Sequence, residues 1–167
     1  MWVIENLFIL LPFQNYIRQI MSTFIGKYDV KADVKGRVFI PSAYRRMLPE
    51  SNSERVVMRR DPHNDCLVIY PVEVWNAKMK ELKDTLDEWN PEDQLLLMQY
   101  VSDAEWLDID SQGRVLISRK HMEYLHPANG ELIFVGMVDR FALWGKSAYE
   151  QIALNVADRL KERMMRK

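Results

Sequence analysis

Short runs rich in β-branched and aromatic residues, bounded by turn formers, occupy two regions of the chain, and stretches with helical spacing lie between and after them. In the first region, Arg37-Val38-Phe39-Ile40 alternates outward and inward positions, and further apolar runs follow at residues 55–59 and 66–70. Asp61-Pro62-His63-Asn64-Asp65 separates those two runs and predicts a hairpin turn. The second region repeats the order with Arg114-Val115-Leu116-Ile117 and with runs at residues 131–135 and 140–144. A short helix is predicted over residues 42–48 and again over 118–125, stopped by Pro49 and Pro127. Each region is thus β-turn-β, short helix, β-hairpin. A unit of about 50 residues is near the lower limit for an independent core, so the two are expected to bury their apolar faces against each other.

The helical stretches have their own signals. Trp75, Met79, Leu82, Leu86 and Trp89 step by 4, 3, 4 and 3, which predicts one apolar stripe. Asn90-Pro91-Glu92-Asp93 then supplies a cap, a proline at the first position and acids in the first turn. The Leu-rich helix that follows, through about Val101, is expected to sit centrally. Ser147-x-x-Glu150 predicts a capping box ahead of a last helix, with Tyr149, Ile152, Ala153, Val156 and Leu160 on one face. The middle helices link the two β units and offer a surface for oligomer contacts.

The most specific feature is a string written twice, Asp33-Val34-Lys35-Gly36-Arg37 and Asp110-Ser111-Gln112-Gly113-Arg114. The two aspartates lie 77 positions apart, and Tyr70 and Trp144, which close later strands, lie 74 apart. An offset that drifts so little is the mark of duplication with loop insertions. Five segments are expected: a non-native N-terminal extension over 1–21, a first module over 22–75, a helical linker over 76–101, a second module over 102–147 and a terminal helix over 148–167. Residues 1–20 lack a basic start and a small-residue cleavage site, and their apolar run is too short to span a membrane. Translation is expected to begin at Met21.

Composition adds exclusions. At 48% hydrophobic and 28% charged residues, the chain has the profile of an ordinary soluble globular protein. Its one cysteine, Cys66, rules out an internal disulfide, fits a reducing compartment and reads as a small buried apolar residue. His63, His121 and His126 sit on a turn and on one short helix without metal-ligand spacing, and neither a Gly-rich phosphate loop nor a nucleophile elbow is present. No catalytic residue, metal or cofactor is therefore expected. The net charge of −1 is unevenly spread. Residues 23–60 hold nine basic side chains against four acids, a net of +5, and residues 73–110 hold three against eleven, a net of −8. A basic first module beside an acidic linker fits an anionic partner.

Phe24-x-Gly26-x-Tyr28, Asp33-x-Lys35-Gly36-Arg37-x-x-Ile40-Pro41, Tyr70-Pro71-x-x-x-Trp75 and Asp110-x-x-Gly113-Arg114 together resemble the MraZ family of bacterial transcriptional regulators, from about Met21 to Leu160. The resemblance implies an α+β chain of two tandem swapped-hairpin AbrB-like β-barrel modules with connecting and C-terminal helices. It also implies a cytoplasmic, nucleoid-associated protein with no membrane partner. Its partners would be promoter DNA, bound at short repeated boxes upstream of the division and cell-wall gene cluster, and itself, in a ring-shaped homo-oligomer. Ala32, Ser118, Ala142 and Gly145 depart from the family pattern, three of them in the second repeat. An AbrB-like antitoxin or protein-interaction module is the alternative.

Within the motif, Gly36 and Gly113 can take the backbone angles a tight turn needs, and Asp33 and Asp110 can accept the turn's own N–H groups. Arg37 and Arg114 present planar forks suited to phosphate or to the O6/N7 edge of guanine, or to an intramolecular pair with the aspartate. Arg37, with Lys35 and Lys27 near it in sequence, is expected to contact DNA, while for Arg114 both readings stay open. Arg45 and Arg46 on the short helix are expected to add phosphate contacts.

Overall fold

The computed structural model describes residues 23–50 and 53–166, so the expectation for residues 1–21 lies outside the described residues. Strands β1 (Lys27–Lys31), β2 (Arg37–Phe39), β3 (Arg55–Arg60) and β4 (Leu67–Pro71) come from the first repeat, with helix α1 (Ser42–Arg45) between β2 and β3. Helices α2 (Val72–Thr85) and α3 (Pro91–Ser102) follow. The second repeat supplies β5 (Glu105–Asp108), β6 (Arg114–Leu116), α4 (Arg119–Leu125), β7 (Glu131–Gly136) and β8 (Phe141–Gly145), and α5 (Lys146–Met165) ends the chain. The fold is mixed α+β.

The two repeats share strands. One antiparallel sheet has the order β1-β7-β8-β4-β3-β5, and a separate ribbon pairs β2 with β6. The first strand of each repeat is thus hydrogen-bonded to the hairpin of the other: β1 to β7, and β5 to β3. Two β-barrel modules were expected; the described strands form no closed barrel. A single repeat is too small to cover both faces of its hairpin; pooling the strands lets the ribbon cover one face, and helices cover the other. One face buries Val56, Met58, Leu67, Ile69, Leu132, Phe134, Phe141 and Leu143 against Val38, Ile40, Val115 and Ile117 of the ribbon. The other buries Val57, Cys66, Val68, Tyr70, Ile133, Ala142 and Trp144 beneath helical residues that include Trp75, Met79, Tyr100 and Tyr149. Successive residues of β4, β7 and β8 fall alternately in the two cores, as the two-residue period of a strand requires. Burial at Cys66 pushes its thiol up to about 12.

The helices depart from expectation in four places, the first being α1, which ends at Arg45 where a helix over 42–48 was expected. The stripe of α2 ends at Thr85: Leu86 is already extended, and Asp87 turns the chain by accepting from the Trp89 N–H at 2.9 Å, leaving Trp89 exposed. Helix α3 starts as predicted, the Asn90 side chain accepting from the Glu92 N–H at 2.9 Å. It is not central, however. It has no buried residue, and Leu95, Leu96, Met98 and Val101 are exposed. The capping box at Ser147 does not form, because α5 begins earlier, at Lys146, with Gly145 in the cap position.

Candidate nucleic-acid interface

The ribbon brings together the two motifs that lie 77 residues apart. Val38 faces Val115 at its centre, Arg37 faces Leu116 and Phe39 faces Arg114. Both valines are fully buried, which stabilises the ribbon by about 1.5–3 kcal/mol for each. This fixes the register, because a slip of one residue would turn the arginines into the core. The turns are locked to each other as well: the Ile117 N–H donates to the Gly36 carbonyl and the Ile40 N–H to the Gly113 carbonyl, both at 3.0 Å.

Each turn is closed in the same way. Gly36 and Gly113 have φ of +81° and +82°, in the left-handed region that favours glycine. One oxygen of Asp33 accepts from the Lys35 and Arg37 backbone N–H groups, each at 2.9 Å. Asp110 does the same for Gln112 and Arg114, again at 2.9 Å. The second carboxylate oxygen takes the arginine Nε, at 2.6 Å from Arg37 and 2.8 Å from Arg114. These hydrogen bonds, that of the arginine's backbone N–H foremost, hold both carboxyls below their ordinary value. A contact through Nε alone leaves the two Nη groups of the fork to a second partner. The intramolecular pair and an outside contact are therefore compatible.

The surroundings of the turns differ. The tips of both stand in solvent, Val34 and Lys35 in the first and Ser111 and Gln112 in the second, but Gly113 is buried where Gly36 is not, and the Arg37 side chain is 35% exposed against 20% for Arg114. At the second turn the Arg45 guanidinium lies where a Cβ on Gly113 would be, 2.5 Å away, with its Nε donating to the Ile40 carbonyl at 3.2 Å. An open groove of about 730 Å³ beside it is lined by Glu54, Asp108 and Asp110 as well as Arg45 and Arg55. Carboxylates so placed oppose a phosphate.

The other candidates are spread. Arg46 is exposed on the chain just after α1. Lys27 lies at the far end of β1 from the turn, its amino group 6.0 Å from the centre of the Tyr149 ring. Three cations counted in the basic module are already engaged: Arg59 is buried with its guanidinium 3.7 Å from the Tyr100 ring, Arg55 pairs at the surface with Asp108 at 2.9 Å, and Arg60 lies 3.9 Å from Asp103. Acids at the start of the second module thus neutralise part of the basic module. Two outward residues of the ribbon, Phe39 and Leu116, were not singled out in the sequence. The signal was there, since alternation puts Phe39 on the face of Arg37, and Leu116 on that of Arg114.

The chain is of a definite class: a duplicated α+β protein whose paired arginine turns meet on one two-stranded ribbon. The sequence model of a family described as "MraZ protein, putative antitoxin-like" matches residues 23–97 and 101–165. "Transcriptional regulator MraZ" of Bacteroides thetaiotaomicron is 40% identical over 131 residues, covering 78% of this chain and 83% of the relative. The proteins of the same name from Bacteroides fragilis and Phocaeicola vulgatus are 39% and 36% identical, covering 79% and 83% of this chain and 83% and 90% of theirs. The chain belongs to the MraZ family, whose curated members are named as transcriptional regulators and not as enzymes. No described helix is long and apolar enough to cross a membrane.

Proposed function

We propose that the chain is a sequence-specific DNA-binding transcriptional regulator that reads short repeated boxes in promoter DNA upstream of the division and cell-wall gene cluster. The observation that carries this reading is the ribbon, which holds Arg37 and Arg114 on one face with their Nη groups available. The names of the relatives support it. Arg37 supplies the specific contact, Lys35 and Arg46 add phosphate contacts, and Arg45 and Arg114 act mainly on the architecture of the second turn. Lys27, remote from the turn, contributes to the positive field. One module offers few contacts, so tight binding comes from a ring-shaped homo-oligomer engaging several boxes at once. The exposed apolar residues of α3 and α5 support self-association. The swapped-hairpin reading of the modules draws on the exchange of first strands between repeats.

Footprinting on the DNA upstream of its own gene, at two salt concentrations, tests the reading. Evenly spaced protected boxes that weaken as salt rises are expected. Uniform or absent protection would contradict it. An antitoxin-like interaction module is the second reading, favoured by the same exposed helical residues. A toxin gene beside this one would support that alternative, and cell-wall genes downstream would dismiss it.

A further inference from the structure

The outward face of the ribbon carries apolar side chains beside its two arginines, and their arrangement is regular. Phe39 is 52% exposed and Leu116 57% exposed, although each belongs to a strand whose inward valine is fully buried. Phe39 stands opposite Arg114, whose guanidinium lies 5.7 Å from the ring centre, and Leu116 stands opposite Arg37. The face therefore presents a cation and an apolar group twice, related by an approximate two-fold axis through Val38 and Val115. Single exposed apolar residues need no explanation, but a pair flanking two fixed arginines on one ribbon does. The major groove of B-form DNA admits a two-stranded ribbon, and its edges offer guanine acceptors for arginine and the C5-methyl of thymine for an apolar side chain. Resting on the DNA-binding reading above, we infer that Phe39 and Leu116 are specificity residues that pack against thymine methyl groups beside the base contacted by Arg37. Both are exposed in the free protein, so both are available to the groove, and the positive charge beside them draws the apolar pair to a polyanion.

The probe is a duplex of the DNA upstream of its own gene that the protein protects in footprinting, prepared with thymine or with deoxyuridine, which lacks only the methyl. The full chain should bind the deoxyuridine duplex roughly fourfold more weakly for each buried methyl. Phe39→Ala and Leu116→Ala should each shrink that ratio toward one. A role of Phe39 limited to supporting Arg114 would lower both affinities and leave the ratio unchanged, which would overturn the inference. Because both side chains are exposed, the variants should melt with the parent, and a melting curve verifies this. If the full chain binds both duplexes equally while Arg37→Ala still loses binding, the methyl contact is wrong and the DNA-binding reading stands. If neither duplex is preferred over a scrambled one, both fall.

Discussion

At the first Asp-x-x-Gly-Arg turn Val34 and Lys35 stand clear of the fold, and Gly36 has nothing over it but the partner strand. At the second, Ser111 and Gln112 also stand clear, but Gly113 is roofed by Arg45, with Asp108 and Glu54 lining the groove beside it. The hydrogen bonds inside the two turns agree to within 0.2 Å, down to the Asp–Arg ion pair. Duplication therefore preserved the part that sets the arginine and altered the part that decides what the arginine can reach. A turn motif specifies a posture; the neighbours specify the partner. The cover is itself unequal across the repeat, since Arg45 of the first short helix occupies the place that Met122 holds in the second, 77 residues on.

If the backbones are equivalent, Gly36→Ala and Gly113→Ala should both be damaging, Gly36→Ala the more so. Both carry φ near +80°, where an L side chain costs about 1–2 kcal/mol, but the added methyl meets the fixed Ile117 backbone carbonyl at 2.7 Å in one and the Arg45 guanidinium, which can swing aside, in the other. Gly113→Ala should melt roughly 2–8 °C lower than the parent, and Gly36→Ala lower still. A Gly113→Ala variant that melts with the parent would break the equivalence.

The next difference is in acid. Tyr44 and His121 hold the same place, 77 residues apart, and both are buried. The Tyr44 hydroxyl donates to the Gly26 carbonyl at 2.7 Å, and burial pushes it further up, away from neutrality. His121 lies 2.9 Å from the Ser118 hydroxyl, and burial holds its imidazole below the ordinary 6.5 despite Glu105 at 3.4 Å. Its folded value being depressed, the stability it contributes is full above about 6.5 and is lost as pH falls through the folded value. The melting temperature should fall as pH drops below about 6.5, and His121→Gln should flatten that drop. An unchanged slope in the variant would show that other groups govern it.

The smallest effect concerns the two adjacent arginines. Arg46→Ala should lower the slope of log affinity against log salt by about 0.9, the amount for one phosphate, whereas Arg45→Ala should lower it less because its guanidinium is engaged at the Gly113 turn. Equal slopes for both variants would place Arg45 on the DNA as well.

Much of this was legible in the sequence, and what was not has a common cause. The strands, the short helices after each turn and the Asn90 cap follow from local periodicity and turn chemistry, which act within a few residues. The exchange of β1 and β5 between hairpins is decided by which faces remain uncovered after the hairpins form, a tertiary matter. The exposure of Leu95 and Leu96 went unseen for the same reason: an apolar helix looks alike whether it is buried in its own chain or left to another. Charge misled in a related way, since Arg55, Arg59 and Arg60 add to the count of the first module yet are spent within the fold. The positions of Arg37 and Arg114 were legible; the roof that Arg45 makes over one of them was not.

The central claim is that the open turn reads DNA and the covered turn mainly supports it. Titrating Arg37→Ala and Arg114→Ala side by side against the footprinted duplex tests it directly. Losing one bidentate base contact is worth roughly 5- to 150-fold, so Arg37→Ala should fall in that range or beyond while Arg114→Ala keeps its affinity to within about fivefold. Equal losses, or a larger loss at Arg114, would contradict the account.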